Sequence, residues 1–270
     1  MWAGVLVALP LVSCSVSVLT FAPRETDGPS PPSYEQDEKI KTSVDFGRRS
    51  AANRHGRFRI TVTEVTLRAS GDYVPHAIRQ LIPPVQLTTD DSFRRQGAEV
   101  IVKKPPLKYH VISRDRVAFL IGYAGGDARR VFAAEPYSGQ LTKGQALREL
   151  RYPHNGGMTR RDLGTTCSIT ASPALTGKVQ TVFDISQEEL EGFVDPSPST
   201  PVHRPVFSIQ RGKGHADVPD GGGLFVLISG GTQEVEDRWP IPVAGSLFAK
   251  RYEERILHGL VIKIESVADR

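Results

Sequence analysis

The residues with the clearest potential for chemistry are the stretch Pro31-Pro32-Ser33-Tyr34. Adjacent prolines hold the backbone near polyproline II, a conformation that loses little entropy on binding. Tyr34 adds an aromatic ring with a polar tip. Because WW domains bind the pattern Pro-Pro-x-Tyr in an aromatic-lined groove, Pro31, Pro32 and Tyr34 predict a docking peptide. The alternative is a plain Pro-rich linker.

Two basic runs form the second group of candidate binding residues. The first run, Arg48 to Arg59, has no acid among its arginines. In the second run, Arg94 to Arg116, only Glu99 and Asp115 oppose the basic residues. Each run is either a solvated surface or an electrostatic footprint for anionic lipid or a phosphate backbone. The residues expected to contact anionic membrane or nucleic acid are Arg48, Arg49, Arg54, Arg57, Arg59, Arg94, Arg95, Lys103, Lys104 and Lys108.

Catalytic and metal-binding motifs are missing from the local sequence. No HExxH, CxxC or GxSxG pattern occurs, and no two histidines have ligand spacing on one helix face. The sequence therefore predicts a non-enzymatic protein without a cofactor or metal, although a Ser/His/Asp site assembled by the fold stays open. Cys167 shares one face of a predicted strand with Ile169 and Ala171, which favours a core position over a reactive thiol.

Composition divides the chain into three segments. Residues 1–22 carry no charge and are mostly apolar, residues 23–55 form a Pro-rich linker expected to be disordered, and residues 56–270 form a β-rich globular body. A second Pro/Ser-rich loop at residues 195–205 could divide that body. The net charge of +4 and pI of about 9.1 suit an acidic partner without requiring one.

The apolar segment 1–22 has three interpretations. A cleaved secretory signal fits the apolar run, and Leu11-Val12-Ser13-Cys14 resembles a lipoprotein cleavage box, but both lack the usual basic flank. A retained membrane-contacting segment fits as well. A full transmembrane helix is disfavoured by Pro10 and several serines. The presence of only two cysteines favours a reducing compartment.

Periodicity places many strands and a few short helices in the body. Residues 58–67 alternate, and the slip between Val62 and Val65 indicates a bulge. A helix is predicted at 74–82, a second helix at 142–150, and a polar loop at 152–164. Further strands are predicted at 98–102, 108–112, 117–123, 131–134, 167–171, 179–185, 206–209, 224–228 and 257–264. The fold class is α+β and strongly β-rich.

Three stretches together resemble a rhabdovirus matrix protein of the vesiculovirus type. They are PPSYEQD at residues 31–37, RFRITVT at residues 57–63 and YEERILHGLVIK at residues 252–263. The resemblance implies a curved antiparallel sheet packed with a few short helices. It also implies a non-enzymatic protein that self-associates beneath the viral envelope in the virion and at the inner membrane face of the host cell.

The same resemblance implies the partners. They would be an anionic membrane surface, the nucleocapsid, and a host WW-domain ubiquitin ligase that Pro31, Pro32 and Tyr34 recruit to drive budding. The family's N-terminus is Lys-rich, whereas residues 1–22 here are uncharged. Insertion of the apolar arm would therefore have to replace part of the electrostatic attraction.

The competing class is a secreted or lipid-anchored, cadherin-like β-sandwich adhesion module at the cell surface. FAAEPYSGQL at residues 132–141 and RYEER at residues 251–255 resemble its repeat, while DPSP at residues 195–198 stands where a calcium-binding linker would lie. This class requires a cleaved signal. A mature chain that begins after Ala22 or at Cys14 would contradict the matrix interpretation.

Overall fold

A computed structural model describes residues 35–36, 40–48, 56–70, 85–86, 100–154, 157–174, 177–194, 204–240 and 247–267. The strands before the helix are β1 (Glu35–Gln36), β2 (Lys41–Phe46), β3 (Arg57–Ser70), β4 (Val85–Gln86), β5 (Val100–Lys103) and β6 (Lys108–Ile112). Helix α1 (Arg114–Ala124) leads into a 3-10 turn, Gly125–Asp127. The later strands are β7 (Ala128–Ala134), β8 (Thr142–His154), β9 (Gly157–Pro173), β10 (Lys178–Val194), β11 (Arg204–Pro219), β12 (Gly223–Pro240) and β13 (Leu247–Val267).

These strands form two sheets. Sheet A has the order β1-β8-β9-β10-β11-β5, with β2 also paired to β8, and sheet B has the order β4-β6-β12-β13-β3-β7. All described pairings are antiparallel except the one between β5 and β11. The β-rich, antiparallel fold class with little helix is therefore confirmed.

The described body has three layers: α1, sheet B and sheet A. Sheets A and B face each other across the main core, whose fully buried side chains include Ile60, Val62, Cys167, Ile169, Phe183, Ile185, Leu260 and Ile262. On the other face of sheet B, α1 packs Val117, Leu120 and Ala124 against a second cluster that includes Phe225 and Val261. Sheet B is consequently apolar on both faces.

Strand β3 contributes to both cores because side chains alternate along a strand. Ile60 and Val62 face sheet A, whereas Val65 and Leu67 face α1. The register with β7 shifts between Val62 and Thr63, so that β7 bulges there. The prediction of a bulge in this strand between Val62 and Val65 is wrong, because β3 pairs with β13 without a register shift and the extra residue, Val131, lies in β7. The apolar stripe changes face because a different layer covers each half of the strand.

The segment at 117–123, predicted as a strand, belongs to helix α1, so that prediction is wrong. Val117, Leu120 and Ala124 recur at helical spacing and point into sheet B. Asp115 lies in the first turn, and Gly125 caps the C-terminus at φ 52°. A short run that is apolar on nearly every side does not distinguish a strand from a helix by periodicity alone.

Two further predictions are wrong at residues 142–164. The helix expected at 142–150 is the first part of β8, and the loop expected at 152–164 is the hairpin where β8 pairs with β9 as far as His154 and Gly157. Residues such as Ala146 and Leu150 favour helices by themselves, but pairing on both sides of β8 overrides that propensity. The Pro-rich linker, predicted to be disordered, also contains β2, which packs Val44 against the main core.

The other predicted strands are found at or near their expected places. Each lies within or overlaps one of β5, β6, β7, β9, β10, β11, β12 and β13. The helix predicted at 74–82 and the proposed docking residues Pro31, Pro32 and Tyr34 lie outside the described residues. β10 and β11, which flank the loop at 195–205, pair directly with each other. The division of the body near that loop stays a prediction.

Sheet A splits at one level. The pairing of β9 with β10 ends at Gly164 and Glu188, while β8–β9 and β10–β11 each continue as separate hairpins. The hairpin ends pack on each other through a third buried cluster, in which Tyr152 and Phe207 have ring centroids 5.7 Å apart. The Arg161 guanidinium lies 4.1 Å from the centroid of the Phe207 ring. A cleft between the two sheets lies at this split.

Candidate functional site

The main core ends in a layer of polar side chains at the split in sheet A. On each of five strands, a polar residue lies two positions from a core side chain and therefore on the same face of the strand. The steps are Val62 to Glu64 on β3, Ala146 to Arg148 on β8, Cys167 to Thr165 on β9, Ile185 to Gln187 on β10 and Leu260 to His258 on β13. The layer therefore draws on both sheets at one level, which no single strand pattern reveals.

These side chains line a cleft of about 430 Å³, called here the inter-sheet cleft. Its size lies within the range of small-molecule pockets. Its walls combine polar groups with apolar side chains such as Ala146, Leu163 and Leu190. The lining residues are Ile40, Glu64, Arg129, Ala146, Arg148, Leu163, Gly164, Thr165, Gln187, Glu188, Glu189, Leu190 and His258.

The three acids of the inter-sheet cleft each have a cationic partner. Glu64 pairs with Arg129, and Glu188 pairs with Arg161. Glu189 lies 3.8 Å from the Lys104 ammonium. Arg148, in contrast, is exposed and has no carboxylate partner among the residues that the structure describes. Lys104 is shared between Glu189 and Glu191, and Arg148 is the lining cation that no described carboxylate pairs with.

Hydrogen bonds fix the polar floor. The Thr165 hydroxyl donates to Gln187 Oε1, and Gln187 Nε2 donates to Glu189 Oε1 at 3.2 Å. On the opposite wall, Thr66 Oγ1 and His258 Nδ1 are joined by a hydrogen bond of 2.8 Å. The arrangement orients hydroxyl, amide and imidazole groups beside a cation, which are groups that bind a polar ligand.

Three of the predicted contact cations are paired within the fold. Arg57 lies 3.3 Å from Glu135, and Arg59 bridges Glu135 at 2.8 Å and Glu265 at 3.1 Å. The hydrogen bond that Arg59 donates to Glu135 is the main cause that raises the pKa of Arg59.

Lys104 is the third of these cations. It contacts Glu191 at 2.5 Å, and its hydrogen bond is the main cause that lowers the pKa of Glu191. Part of the predicted basic footprint therefore neutralises acids of the same chain.

Other predicted cations are exposed. Arg48 follows β2, and Lys103 and Lys108 flank the Pro105-Pro106 stretch where the chain crosses from sheet A to sheet B. The crossing lies along β11, because the Lys104 N–H donates to the Ile209 carbonyl at 3.1 Å. The remaining predicted cations, Arg49, Arg54, Arg94 and Arg95, lie outside the described residues.

Cys167 is fully buried, which confirms the predicted core position. Burial raises the pKa of its thiol to about 12, with a smaller contribution from Asp184. Within the described ranges, no group of three or more His, Cys, Asp or Glu side chains could hold a metal ion. No helix in those ranges has the length and apolarity to cross a membrane.

The inter-sheet cleft was not predicted from the sequence. Each polar residue in it looks like an ordinary interruption of an alternating strand. A signal does exist, because the inward stripe changes from apolar to polar near the same level in neighbouring strands. That signal becomes visible only when the strand registers are known.

No protein-family model and no curated protein matches this chain. Similar solved structures include the secretin-domain β-barrel of InvG from the Salmonella SPI-1 injectisome, with 14% identity and a TM-score of 0.25 over 86% of this chain and 63% of that chain. The type II secretin GspD from enteropathogenic Escherichia coli has 12% identity and a TM-score of 0.24 over 87% of this chain and 70% of that one. The type IV competence pilus secretin PilQ of V. cholerae has 14% identity and a TM-score of 0.25 over 88% and 62%.

This chain therefore spans less than two thirds of the InvG and PilQ chains. At these TM-scores and identities, the likeness carries no argument about fold or function. The resemblance to rhabdovirus matrix proteins stays a prediction.

Proposed function

We propose that this protein is a non-enzymatic structural protein of matrix type. It self-associates, contacts an anionic membrane surface and the nucleocapsid, and recruits a WW-domain ubiquitin ligase through Pro31, Pro32 and Tyr34. The observation that best supports the proposal is the β12–β13 ribbon, defined as residues 233–240 and 247–253. It offers a route to self-association.

Within the described ranges, in which β3 extends to Ser70, the β12–β13 ribbon extends past its neighbours in sheet B. The pairing of β3 with β13 ends at Ser70 and Glu254, while β12 and β13 remain paired to each other as far as Pro240 and Leu247. Among the described residues, no third strand pairs with this ribbon. A two-stranded ribbon has unpaired N–H and C=O groups along its edges and is marginally stable alone. A strand from a second copy would satisfy those groups and stabilise both ribbons.

Exposed cations support the membrane part of the proposal. Arg48, Lys103 and Lys108 have exposed side chains. Near an anionic bilayer, each such cation contributes about 1 kcal/mol, and the attraction falls off within a Debye length of about 8 Å at physiological salt. The expected binding is therefore weak per copy and strengthened by self-association.

Light scattering on the full chain tests self-association. In the test variant, an Asn-Gly turn replaces residues 235–252 between the paired residues Glu234 and Glu253. We expect the full chain to form oligomers and the variant to be monomeric with an unchanged melting temperature. A full chain that is monomeric at all concentrations, or a variant that still assembles, would contradict the ribbon as the interface.

Cosedimentation with vesicles tests membrane contact. We expect binding to phosphatidylserine vesicles that decreases with salt and is weakened by the double variant Lys103→Glu, Lys108→Glu. The matched control is Lys178→Glu, an exposed cation at the start of β10. Equal binding to neutral phosphatidylcholine vesicles, or equal loss in the control, would contradict the role of these two lysines.

A second candidate is the secreted or lipid-anchored adhesion module. The observation that favours it is the face-to-face packing of sheets A and B over one core, since adhesion modules of this kind are sandwiches. N-terminal sequencing of the mature protein separates the candidates. A chain that begins after Ala22 or at Cys14 supports adhesion, and a chain that retains residues 1–22 supports the matrix proposal.

A further inference from the structure

We propose that the inter-sheet cleft is a binding site for a small ligand that carries a carboxylate or phosphate group. Arg148 binds the anionic group, and the Thr165–Gln187 floor forms hydrogen bonds with the polar part of the ligand. The proposal does not depend on the matrix-type function, because it concerns side chains between the sheets rather than the ribbon or the exposed lysines.

The cleft is a built feature of the fold. Thr165 is 3% exposed and Gln187 is 8% exposed, so both polar side chains are placed where solvent barely reaches them. Burying such groups costs free energy unless they are hydrogen-bonded. They bond to each other, and Gln187 also donates to Glu189, yet a hydroxyl and an amide have more donor and acceptor positions than these bonds use. The floor therefore retains capacity for a ligand.

Gly164 allows β8 and β9 to approach closely at the floor of the cleft. Its φ is 140°, and a Cβ there would lie against the Ala146 carbonyl oxygen, closer than real Cβ atoms approach. The position thus accepts only glycine. It is also the last residue of β9 that pairs with β10, so the same glycine lies where sheet A splits and where the cleft begins.

Arg148 selects an anion. The acids Glu64 and Glu188 are paired with Arg129 and Arg161, and Glu189 lies 3.8 Å from the Lys104 ammonium, so none of these three acids pairs with Arg148. A guanidinium at the wall of a cleft attracts carboxylate or phosphate, which it binds through two parallel hydrogen bonds. Apolar side chains such as Leu163 and Leu190 also line the cleft, which favours a ligand with a short hydrocarbon portion.

The test is a titration of the full chain followed by amide NMR. The probes are inorganic phosphate, succinate, and succinamide as the uncharged counterpart of succinate. We expect saturable shifts at Gly164 and Thr165 with at least one anion and none with succinamide. Arg148→Gln should weaken binding at least about tenfold, since a charge-assisted hydrogen bond contributes that much. Arg148→Lys should restore part of the affinity.

Arg160→Gln is the matched control. Arg160 lies on β9 of the same hairpin, its side chain is 69% exposed, and it is not part of the cleft lining. The control should bind like the original chain. A response to phosphate alone assigns the site to phosphate ligands, and a response to succinate alone assigns it to carboxylates. The proposal is overturned if neither anion gives a saturable shift, or if Arg148→Gln binds as tightly as Arg160→Gln.

Discussion

The ring of Phe132 fills the space in which a side chain at Gly144 would stand. Phe132 lies on β7 of sheet B and Gly144 on β8 of sheet A, so this contact joins the two sheets where the chain crosses between them. A Cβ at Gly144 would lie less than 3.0 Å from ring carbons of Phe132. The close approach of the sheets at this corner therefore depends on a glycine beside an aromatic ring.

We expect Gly144→Ala to destabilise the protein by about 1–3 kcal/mol, as overpacking in a core does. The free energy of unfolding in urea measures the effect. Gly122→Ala is the matched control, because Gly122 lies in α1 and a Cβ at this position would have open space around it. The control should be stabilised by about 0.5–1 kcal/mol through helix propensity. Equal effects of the two substitutions would contradict the packing argument.

Lys41 and Glu149 link β2 to β8, and they predict a specific pH dependence. Hydrogen bonds from Lys41, and secondarily from Arg151, lower the pKa of Glu149 from 4.5 to about 2. A depressed carboxyl pKa stabilises the folded state above pH 4.5, and that contribution is lost as the pH falls toward 2. We expect Lys41→Gln to raise the pKa of Glu149 toward its ordinary value and to reduce this acid sensitivity.

Carbon-13 NMR titration of the Glu149 carboxyl measures that change directly. Lys143→Gln is the control, since Lys143 is an exposed cation on the same strand and the hydrogen bonds that lower the Glu149 pKa come from Lys41 and Arg151. The pKa of Glu149 should not change in the control. An unchanged pKa in Lys41→Gln would mean that Arg151 alone holds the carboxylate.

The burial of Cys167 predicts a thiol that reagents do not reach in the native protein. With Cys14→Ser as background, Cys167 is the remaining cysteine, and burial holds its pKa at about 12, so little thiolate forms near neutral pH. We expect no reaction with a disulfide reagent in the native state and full reaction in denaturant. Fast labelling of the native protein would contradict the buried position between Ile169 and Ile185.

Tyr34 supplies most of the apolar area that the Pro-Pro-x-Tyr stretch could bury in a WW domain. We expect Tyr34→Ala to weaken binding of a peptide spanning residues 29–37 by about 2 kcal/mol, as aromatic hot spots do. Calorimetric titration measures the affinity. The same substitution in the full chain should not change the melting temperature. A large decrease in that temperature would place Tyr34 within the folded core.

Strands with clear alternation were predictable from the sequence, as β13 illustrates. In the strand predicted at 257–264, Leu260, Ile262 and Ile264 alternate with Val261 and Lys263, and all three are fully buried. The errors occurred where local composition opposes tertiary pairing. In β8, helix-favouring residues such as Ala146 are held extended by β9 and β2, and in α1 an apolar run hides helical spacing.

The candidate site was less predictable than the fold. The basic residues were visible in the sequence, but the acids that pair with them were not, because Glu135 lies far along the chain from Arg57 and Arg59. The inter-sheet cleft is assembled by Arg148, Gln187 and His258 from three separate strands. Such a site depends on long-range register, which single-sequence patterns do not contain.

The position of β13 in sheet B has a consequence for how the chain is made. β13 lies between β12 and β3, yet strands β4 to β12 separate β3 from β13 along the chain, and Val62 of β3 pairs with Ile262. During synthesis β3 must wait for residues 254–267, whereas the hairpins β8–β9 and β10–β11 can form as they emerge. The pairing of β3 with β13 is therefore completed only after β13 has been synthesised, and until then the apolar faces of β3 are a natural target for chaperones.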